Sequence, residues 1–422
     1  THEIAADRPA VIFHPGWMMA RYSDSFYSIR TNYILNALMG AFETPGGLFF
    51  QKGPGDVGAK GLKSLWDTIP KPEDKRVDGC GWKYKHFDAG PGLLHLLYPA
   101  IVSEDPYPVK AYIAFRHDPL LSLPDPEAQK EAFDKLDLVV AIDANYSETG
   151  WYADVLLPSA TYLEKSSVLT TGKGLKPQFG MRKQAVEPRN DAKADWWIFK
   201  SLAERLGAGE YFKFKDMEEF WEWQLEDTGI TVSDLEKKGS VALTDKPVWW
   251  NRMKDLKFKT PSKKIEFVSS RLEASGIESF KPYECPKKPD EGYYRLAFGR
   301  SPVHTHGRTQ NNPVLSEIMP ENQLWLNDEE AAKLGIAKGD RVRVTSADGS
   351  HSGTINVYVT EFIHPESVFM VHGFGRKVPW QTRGYNKGLG DYRFETGLLG
   401  VYDPVGGANS LMECFVKVEK AE

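Results

Sequence analysis

The sequence predicts an α/β protein in which a Rossmann-like, parallel-sheet region is followed by a C-terminal β-barrel domain of the six-stranded type. Strand-like and helix-like segments alternate in residues 109–158, and this alternation is typical of parallel sheets with crossover helices. Short strands replace that pattern from residue 293 onward. At 422 residues the chain also exceeds the usual size of a single core. We therefore expect two regions, residues 1–290 and residues 291–422.

The first region opens with an apolar segment, "PAVIFHPGW" (9–17), that predicts a strand followed by a loop. A helix is expected at 28–42, where apolar residues recur at helical spacing before the terminator "ETPGG". Residues 50–108 are rich in Gly, Pro and Lys and predict a long irregular segment. The later elements are a strand at 109–119, a helix at 125–136, a buried strand at 137–149 and a short strand at 152–158.

Residues 159–290 combine polar loops with two helical segments, at 194–207 and 216–229. In the second region the expected strands lie in "YRLAFG", "QLWLN", "DRVRVTSADG", "SGTINVYVT" and "SVFMVHGFG". The Asp-Gly pair in "SADGS" is typical of a hairpin turn. One helix is expected at 328–336, with Asp328 at its N-cap. These elements together predict a barrel.

Composition excludes several classes of protein. The formal net charge is −5, whereas general nucleic-acid-binding proteins carry a basic surface, so no nucleic-acid partner is expected. No apolar run reaches the ~18 residues of a membrane span. The three cysteines, Cys80, Cys285 and Cys414, lie far apart without a C-x-x-C spacing. A Cys-rich zinc or iron–sulfur site held by this chain alone is therefore not expected.

Polar residues cluster where three predicted strands end. The clusters are His14, "RHDP" at 116–119 and "DANYSE" at 143–148. Open α/β sheets bind ligands at the carboxyl ends of their strands, and an acid such as Asp118 or Asp143 is suited there to a ribose hydroxyl or a guanine N–H group. Each cluster alone is also what an ordinary surface loop would show, so only their recurrence favours a dinucleotide-binding site.

The segment "HTHGRTQNNP" (304–313) follows a predicted strand and holds two histidines, an arginine, a glutamine and two asparagines. A solvated loop does not need so many hydrogen-bonding groups, whereas a large polar ligand does. His372 follows another strand in "VHGFG", where glycines allow the backbone to approach a ligand closely. A metal site formed by His304, His306 and His372 is the competing interpretation, but no carboxylate accompanies them at ligand spacing.

Several catalytic motifs are absent from the sequence: the P-loop, the G-x-S-x-G nucleophile turn and the H-E-x-x-H zinc motif. The polar clusters therefore predict a long, polar, anionic ligand that is held by strand ends and loops.

The sequence resembles the C-terminal half of the molybdopterin oxidoreductases of the dimethyl-sulfoxide-reductase family. The resemblance lies in "YADVLLPSATYLEK" (152–165), "ADWWIFKSLAERLG" (194–207), residues 304–349 and "VHGFG" (371–375). The opening, from "VIFHPGW" to "NALMGAFETPGGLFF", is most similar to the polysulfide and thiosulfate reductase catalytic subunits.

This resemblance implies a bis-molybdopterin guanine dinucleotide cofactor with molybdenum or tungsten, covered by the C-terminal barrel. It also implies two-electron reduction of a sulfur compound, polysulfide or thiosulfate, in anaerobic respiration. Arg21, just after the "HPGW" loop, is expected to project into the cavity and hold an anionic substrate; a surface position is the alternative. The resemblance assigns cofactor binding to Asp118, Asp143, His304, His306, Arg308, Thr309, Gln310, Asn327, His372, Asn386 and Asn409.

The chain departs from the family at one point. The amino-terminal part of these enzymes carries a Cys-rich iron–sulfur motif and usually a Cys or selenocysteine ligand to the metal, and neither is visible here. We therefore expect a 4Fe-4S cluster on a missing N-terminal half or companion chain, and no activity from this half alone. An iron–sulfur electron-transfer subunit, a membrane anchor subunit and a peripheral position in the periplasm or on the outer face of the cytoplasmic membrane are implied as well.

Two alternatives remain open. One is another reductase of the family, acting on arsenate, tetrathionate or formate. The other is a cofactor-free structural or electron-relay subunit of a membrane respiratory complex. The polar clusters argue against the second alternative, because a chain without a ligand has little reason to keep them.

Overall fold

Two compact units make up the structure, a computed structural model that describes residues 1–84, 92–250, 256–395 and 402–421. One unit consists of residues 1–14, 32–74 and 157–266, and the other of residues 15–31, 75–156 and 267–422. The predicted boundary at residue 290 lies inside the second unit, so the division into residues 1–290 and 291–422 stays a prediction.

The elements alternate in the first half and become mainly strands toward the C-terminus. In the described residues the α-helices are α1 (His2–Ala6), α2 (Ser25–Leu38), α3 (Leu94–Ser103), α4 (Pro119–Ser122), α5 (Pro126–Phe133), α6 (Glu148–Tyr152), α7 (Asp195–Arg205), α8 (Met217–Leu225), α9 (Val232–Lys238), α10 (Ser270–Ala274), α11 (Pro313–Ile318) and α12 (Asp328–Lys333). The strands there are β1 (Ala111–Phe115), β2 (Leu138–Asp143), β3 (Val155–Pro158), β4 (Thr170–Gly172), β5 (Gln178–Gly180), β6 (Ser240–Ala242), β7 (Tyr293–Gly299), β8 (Leu324–Leu326), β9 (Arg341–Ser346), β10 (Ser352–Val359), β11 (Ser367–Val371) and β12 (Phe415–Lys420). Short 3₁₀ helices lie at Met18–Arg21, Pro54–Val57, Leu65–Asp67, Gly209–Phe212 and Asp391–Arg393.

The α/β part contains a sheet with strand order β1-β2-β3. Strands β1 and β2 run parallel, with Ala111 opposite Leu138 and Phe115 opposite Ile142. Helix α5 lies between them in sequence and buries Phe133 in the same apolar cluster as Val139. The two strands therefore end at the same edge, immediately before the polar residues that follow each of them.

The C-terminal part is a closed six-stranded barrel with strand order β10-β8-β11-β7-β12-β9. Strand β7 alternates buried and half-buried residues, as a strand with one face on a core does. Strands β7 and β11 are parallel neighbours, and the amide of His372 donates to the carbonyl of Gly299 at 2.9 Å. The loops that leave these two strands therefore begin side by side. The parallel sheet and the barrel confirm the predicted fold class.

The first unit has a small antiparallel sheet of β4, β5 and β6. Phe179 on β5 and Trp221 on α8 lie in one apolar cluster of this unit. The carboxylate of Glu43 lies 3.3 Å from the ammonium of Lys52, and both side chains are buried. Because both side chains are buried, each charge depends on the other as its partner, and removal of one would leave an uncompensated buried charge.

Two predicted backbone features are wrong. No strand forms in residues 9–17, because the side-chain amide of Asn36 on α2 pairs with both the N–H and the C=O of Phe13, at 3.0 and 2.7 Å. Within the segment predicted to be irregular, α3 forms despite the internal Pro99, since it buries His95, Leu96, Tyr98 and Ile101.

Two helix ends also differ from the prediction. Helix α2 spans Ser25–Leu38 and thus lies about one turn N-terminal to the predicted range of 28–42. The N-cap of α12 is Asn327 and not Asp328, because the Asn327 side chain accepts from the amides of Glu329 and Glu330. Across the described ranges, no helix combines the length and the apolar composition that a membrane span requires.

Candidate functional site

An open cavity of about 340 Å³ lies in the second unit. Its walls come from the residues that follow β1 and β2 and from the loops that leave β7 and β11. Five of the predicted site residues line it together: Asp118, Asp143, His306, Arg308 and His372. The volume is within the range of small-molecule sites. The structure thus joins strand ends of the parallel sheet with loops of the barrel in one pocket.

The backbone is strained at two residues of this pocket. Arg116 has a φ of 51° and His306 a φ of 49°, and both lie on the cavity wall. Positive φ values are uncommon for residues other than glycine, and such conformations cluster at functional sites, where the surrounding structure holds them.

Glycine is required where the two barrel loops meet. Gly373 has a φ of 94°, and a Cβ atom there would lie 2.6 Å from the amide nitrogen of Gly307. The loops that follow β7 and β11 therefore approach each other backbone to backbone. This close approach fixes His306 and His372 as neighbours, with their ring centroids 5.6 Å apart.

Arg376 brings a buried cation to the pocket. Its side chain is 5% exposed, and its nitrogen Nη1 lies 3.8 Å from a carboxylate oxygen of Asp118 and 4.0 Å from one of Glu148. Its Nε and Nη1 atoms, together with Nε2 of His117, are buried without hydrogen-bond partners. A buried donor without a partner costs roughly 1–3 kcal/mol, so these atoms indicate that a polar ligand completes the site.

Burial shifts the ionisation of several pocket residues. It raises the pKa of Asp143, although the carboxylate accepts a hydrogen bond from the amide of Ala144 at 2.7 Å. Burial also lowers the pKa of His117 against the opposing charge of Asp118. The pKa of His306 is lowered by burial and then by the nearby His372 and Arg300. The fixed positive charge of the pocket therefore comes from its arginines.

Asp118 has a structural task in addition to its place on the wall. Its carboxylate accepts hydrogen bonds from the amide of Glu148 at 3.3 Å and from the amide and hydroxyl of Thr149, each at 2.9 Å. Asp118 thereby ties the end of β1 to the start of α6.

Three predicted residues shape the loop after β7 and do not line the cavity. His304 engages both ring nitrogens, with Thr309 Oγ1 at 3.1 Å and the carbonyl of Met319 at 2.8 Å. Gln310 donates to the carbonyl of His306, while its Oε1 is buried without a partner. The metal-site interpretation fails for His304, because neither ring nitrogen is left for a metal. Among the described residues, no group of three or more His, Cys, Asp or Glu is placed to hold a metal ion.

The three predicted asparagines lie outside the set of residues that line the cavity. Asn327 caps α12 and donates to the carbonyl of Ile363 at 3.0 Å. Asn386 has a φ of 56° and accepts from the ammonium of Lys377 at 2.9 Å. Asn409 pairs with Tyr402 in an isolated bridge and has a buried amide nitrogen without a partner. Cofactor roles for the asparagines stay predictions.

Arg21, the predicted substrate-binding residue, is half-buried at the end of a 3₁₀ helix. Burial lowers its pKa, while the charges of Glu395 and Asp391 act in the opposite direction. The positive charge of Arg21 therefore lies in the electrostatic field of these two buried carboxyl groups. Contact with an anionic substrate stays a prediction.

Sequence reasoning missed four residues near the pocket. Arg116 and His117 stand in the "RHDP" cluster but were not singled out, and Arg376 directly follows "VHGFG". A basic residue after a glycine-rich strand end was the available signal for Arg376. Nothing in the sequence marked Asp391, which accepts a 2.7 Å hydrogen bond from Nδ1 of His372.

Parallel strands that end at a cationic pocket, with a barrel supplying the remaining walls, define a protein that binds a large anionic cofactor. Two family descriptions match the chain: Molybdopterin oxidoreductase over residues 21–205, and Molydopterin dinucleotide binding domain over residues 294–414. The chain belongs to the molybdopterin oxidoreductases of the dimethyl-sulfoxide-reductase family. This finding confirms the resemblance drawn from the sequence.

Similar proteins of the family differ in what their names say they act on. The thiosulfate reductase molybdopterin-containing subunit PhsA of Salmonella typhimurium is 32% identical over 92% of this chain and 55% of its own length. An F420-dependent formate dehydrogenase subunit alpha of Methanocaldococcus jannaschii is 29% identical over 76% of this chain and 46% of its own length. The chain thus spans about half the length of these relatives.

One solved structure supports the fold. Acetylene hydratase from Pelobacter acetylenicus superposes with a TM-score of 0.76 at 22% sequence identity, covering 99% of this chain and 62% of the other.

The residues of the pocket fit a molybdopterin dinucleotide. The cofactor is anionic and polar, and the pocket offers Arg116, Arg308 and the buried, partly unpartnered Arg376. Gly307 lies on the cavity wall, where Gly373 approaches its backbone closely. Guanidinium groups bind phosphate and planar polar rings through paired donors, so the chemistry of the donors matches that of the ligand.

Proposed function

We propose that this chain is part of the catalytic subunit of a molybdenum- or tungsten-dependent oxidoreductase with a bis-pyranopterin guanine dinucleotide cofactor. Its reaction is the two-electron reduction of a sulfur compound, thiosulfate or polysulfide. The cationic pocket with unpartnered donors is the observation that carries the cofactor part of the proposal. The similarity to the thiosulfate reductase subunit supports the substrate class.

The residues of this chain bind and orient the cofactor. Arg308 and Arg376 hold phosphate or pterin oxygens through paired donors. Asp143, at the end of β2, holds a guanine N–H group or a ribose hydroxyl. When bound, the cofactor supplies a metal that exchanges two electrons. Arg21 places positive charge near an anionic substrate.

The proposal extends to the rest of the enzyme. A 4Fe-4S cluster is expected on the part of the catalytic subunit outside this chain, and an iron–sulfur subunit and a membrane anchor subunit complete the complex. Its location is the periplasm or the outer face of the cytoplasmic membrane. The word "subunit" in the name of the thiosulfate reductase relative supports an assembly of several chains.

A comparison of substrates tests the proposal. The native complex that contains this chain is assayed with a reduced dye as electron donor against thiosulfate, polysulfide, tetrathionate and arsenate, and with an oxidised dye against formate. Molybdenum, tungsten and guanine nucleotide are measured in the same sample. We expect metal and guanine nucleotide together with the highest kcat/KM for a sulfur compound. Formate oxidation alone would favour a second candidate function, that of a formate-oxidising enzyme of the same family, which the formate dehydrogenase relative supports. A complex that contains neither metal nor guanine nucleotide would indicate that this chain is a cofactor-free structural or electron-relay subunit.

A further inference from the structure

Helices cover one face of the sheet formed by β1, β2 and β3. Val139 of β2 lies in one apolar cluster with Phe133 of α5. On α6, a Cβ atom added to Gly150 would lie 3.7 Å from the Cβ atom of Ala141 and 3.3 Å from Cδ1 of Leu156. Strands β2 and β3 therefore turn Val139, Ala141 and Leu156 toward these helices.

The opposite face of the same sheet is exposed and apolar. Side chains alternate along a strand, so Leu138 and Val140 of β2 lie on this second face, and Ile113 of β1 is paired with Val140 in register. Val155 precedes Leu156 on β3 and shares the face. The exposed fractions are 48% for Ile113, 39% for Leu138 and 41% for Val155. All three strands thus present apolar side chains to solvent.

Such exposure is unusual for strands that run parallel. Strands β1 and β2 are parallel, and sheets of parallel strands are normally covered on both faces. The cofactor pocket does not explain the exposed face, because its lining includes none of these apolar side chains. Lys110 and Asp137, which precede β1 and β2, form an exposed ion pair at 3.6 Å. An apolar centre with a polar border is typical of a protein interface.

The lengths of related enzymes indicate what covers this face. This chain spans about half the length of its thiosulfate reductase and formate dehydrogenase relatives. We propose that the exposed face of β1, β2 and β3 is the docking site for an amphipathic helix from the part of the catalytic subunit that lies outside this chain. The apolar stripe of that helix buries Ile113, Leu138 and Val155. The inference rests on the proposed function only in taking this chain as one part of a larger catalytic subunit.

Carbene footprinting with mass spectrometry tests whether the face is covered. A photoactivated diazirine labels exposed side chains in this chain alone and in the native enzyme that contains it. We expect Ile113, Leu138 and Val155 to be labelled in the chain alone and several-fold less in the native enzyme. Phe362, an exposed residue between β10 and β11, is the internal control and should be labelled equally in both.

Three footprinting results would overturn the proposal. Equal labelling of the face in both forms would show that nothing covers it. Protection in the chain alone while gel filtration shows a monomer would mean that another part of this chain covers the face. Protection in the chain alone that accompanies a dimer would assign the face to a second copy.

A charged side chain on the face should prevent docking. Ile113→Lys changes a half-exposed side chain, so the chain alone should keep its Tm, whereas Leu138 and Val155 should regain their labelling in the native enzyme. Ile113→Val keeps an apolar, β-branched side chain and should retain the protection, as should the control Phe362→Lys. Full protection of Leu138 and Val155 in folded Ile113→Lys enzyme would show that no helix packs on this face.

Cross-linking from Lys110 identifies the docked segment. Its side chain is exposed and lies directly before β1. In the native enzyme, a lysine-reactive cross-linker should join Lys110 to a peptide from the rest of the catalytic subunit. Cross-links only to another subunit or to a second copy of this chain would contradict the proposal. Neither experiment needs cofactor or turnover, so docking can fail while thiosulfate reduction is confirmed, and it can hold when another substrate is reduced.

Discussion

Arg376 and Arg308 contribute to the pocket in different ways. Arg376 is buried with two unpartnered nitrogen atoms, whereas Arg308 lies on the wall as an exposed side chain. A lysine in place of Arg376 keeps the charge but loses the paired donors. We expect Arg376→Lys to lower guanine nucleotide per folded molecule about tenfold or more, since hydrogen bonds to charged groups are worth roughly 1.5–3 kcal/mol.

Arg308→Lys should lower occupancy less than Arg376→Lys, and Arg308→Ala more than Arg308→Lys. Arg383→Lys, at an exposed arginine 4.0 Å from Glu317, is the matched control and should retain full occupancy. Guanine nucleotide is measured after denaturation of protein that gel filtration shows to be folded. Full loading of all three pocket variants would rule out a cofactor role for these arginines.

We expect the Asp143 carboxylate to strengthen cofactor binding while it lowers the stability of the folded chain. Its pKa is raised in the folded chain, chiefly by burial. The folded state therefore binds more protons than the unfolded state between the unfolded and folded pKa values, and its stability falls as pH rises through that window. Asp143→Asn removes the ionisable carboxyl group, so the stability of the variant does not fall in this pH window. In chain without cofactor, we expect its unfolding free energy to equal or exceed that of the wild type at neutral pH.

The advantage of Asp143→Asn should disappear below the unfolded pKa of about 4, where the wild-type carboxyl is protonated in both states. Urea denaturation at several pH values measures the difference. Asp137→Asn, at an exposed ion pair with Lys110, serves as control. A variant that is less stable than the wild type at neutral pH and still binds cofactor fully would make Asp143 a structural residue.

At the scale of elements, Asp118 couples a strand to a helix. Its carboxylate accepts three hydrogen bonds from the first residues of α6, and Glu148 of that helix accepts from the amide of Lys377 at 2.9 Å. We expect Asp118→Ala to lower the unfolding free energy by roughly 1.5–3 kcal/mol. Asp125→Ala, which removes the N-cap of α5, should cost about 1 kcal/mol.

The two variants should differ in cofactor content. Asp118→Ala displaces a helix that borders the pocket and should also reduce guanine nucleotide per folded molecule, whereas Asp125→Ala should not. Denaturant titration and nucleotide analysis of the same samples measure both effects. Loss of cofactor without loss of stability in Asp118→Ala would instead indicate that the carboxylate binds the ligand directly.

Elements were predictable where periodicity and burial agree. The alternation in β7 and the apolar run of β2 predict their strands, and the Asp-Gly turn predicts the hairpin between β9 and β10. The apolar segment around Phe13 predicts a strand that does not form, because the backbone of Phe13 pairs with the side chain of a residue 23 positions away. The same limit applies to the site. Asp143 ends β2 and His372 follows β11, so both could be predicted, whereas the contact between His372 and Asp391 depends on a turn that no local pattern specifies.

At the scale of the molecule, the pocket joins segments that are far apart in sequence. Residues 116–122 and 143–147 follow the parallel strands, and residues 306–308 and 372–381 follow β7 and β11 of the barrel. All four segments belong to the same compact unit. Three of them bring an arginine to one cavity, where Asp118 lies close to Arg376 alone. An anionic ligand therefore suits the cavity, because it adds negative charge near the other two arginines.

A ligand shared by these segments should order them together. Binding to the folded state alone stabilises it by RT ln(1 + [L]/Kd), and local opening of every contacting segment is suppressed to a similar extent. We expect hydrogen exchange at residues 116–122, 143–147, 306–308 and 372–381 to slow by at least tenfold in cofactor-loaded protein relative to cofactor-free protein, a change that corresponds to about 1.4 kcal/mol. Strands β9 and β10 pair with each other in the barrel wall and supply no residue of the pocket, so they are the internal control and should change less. Mass spectrometry of peptides from both forms resolves the segments. Slowing confined to the barrel loops would show that the strand ends at Asp118 and Asp143 do not contact the cofactor, and equal slowing in β9 and β10 would indicate general stabilisation without a shared site.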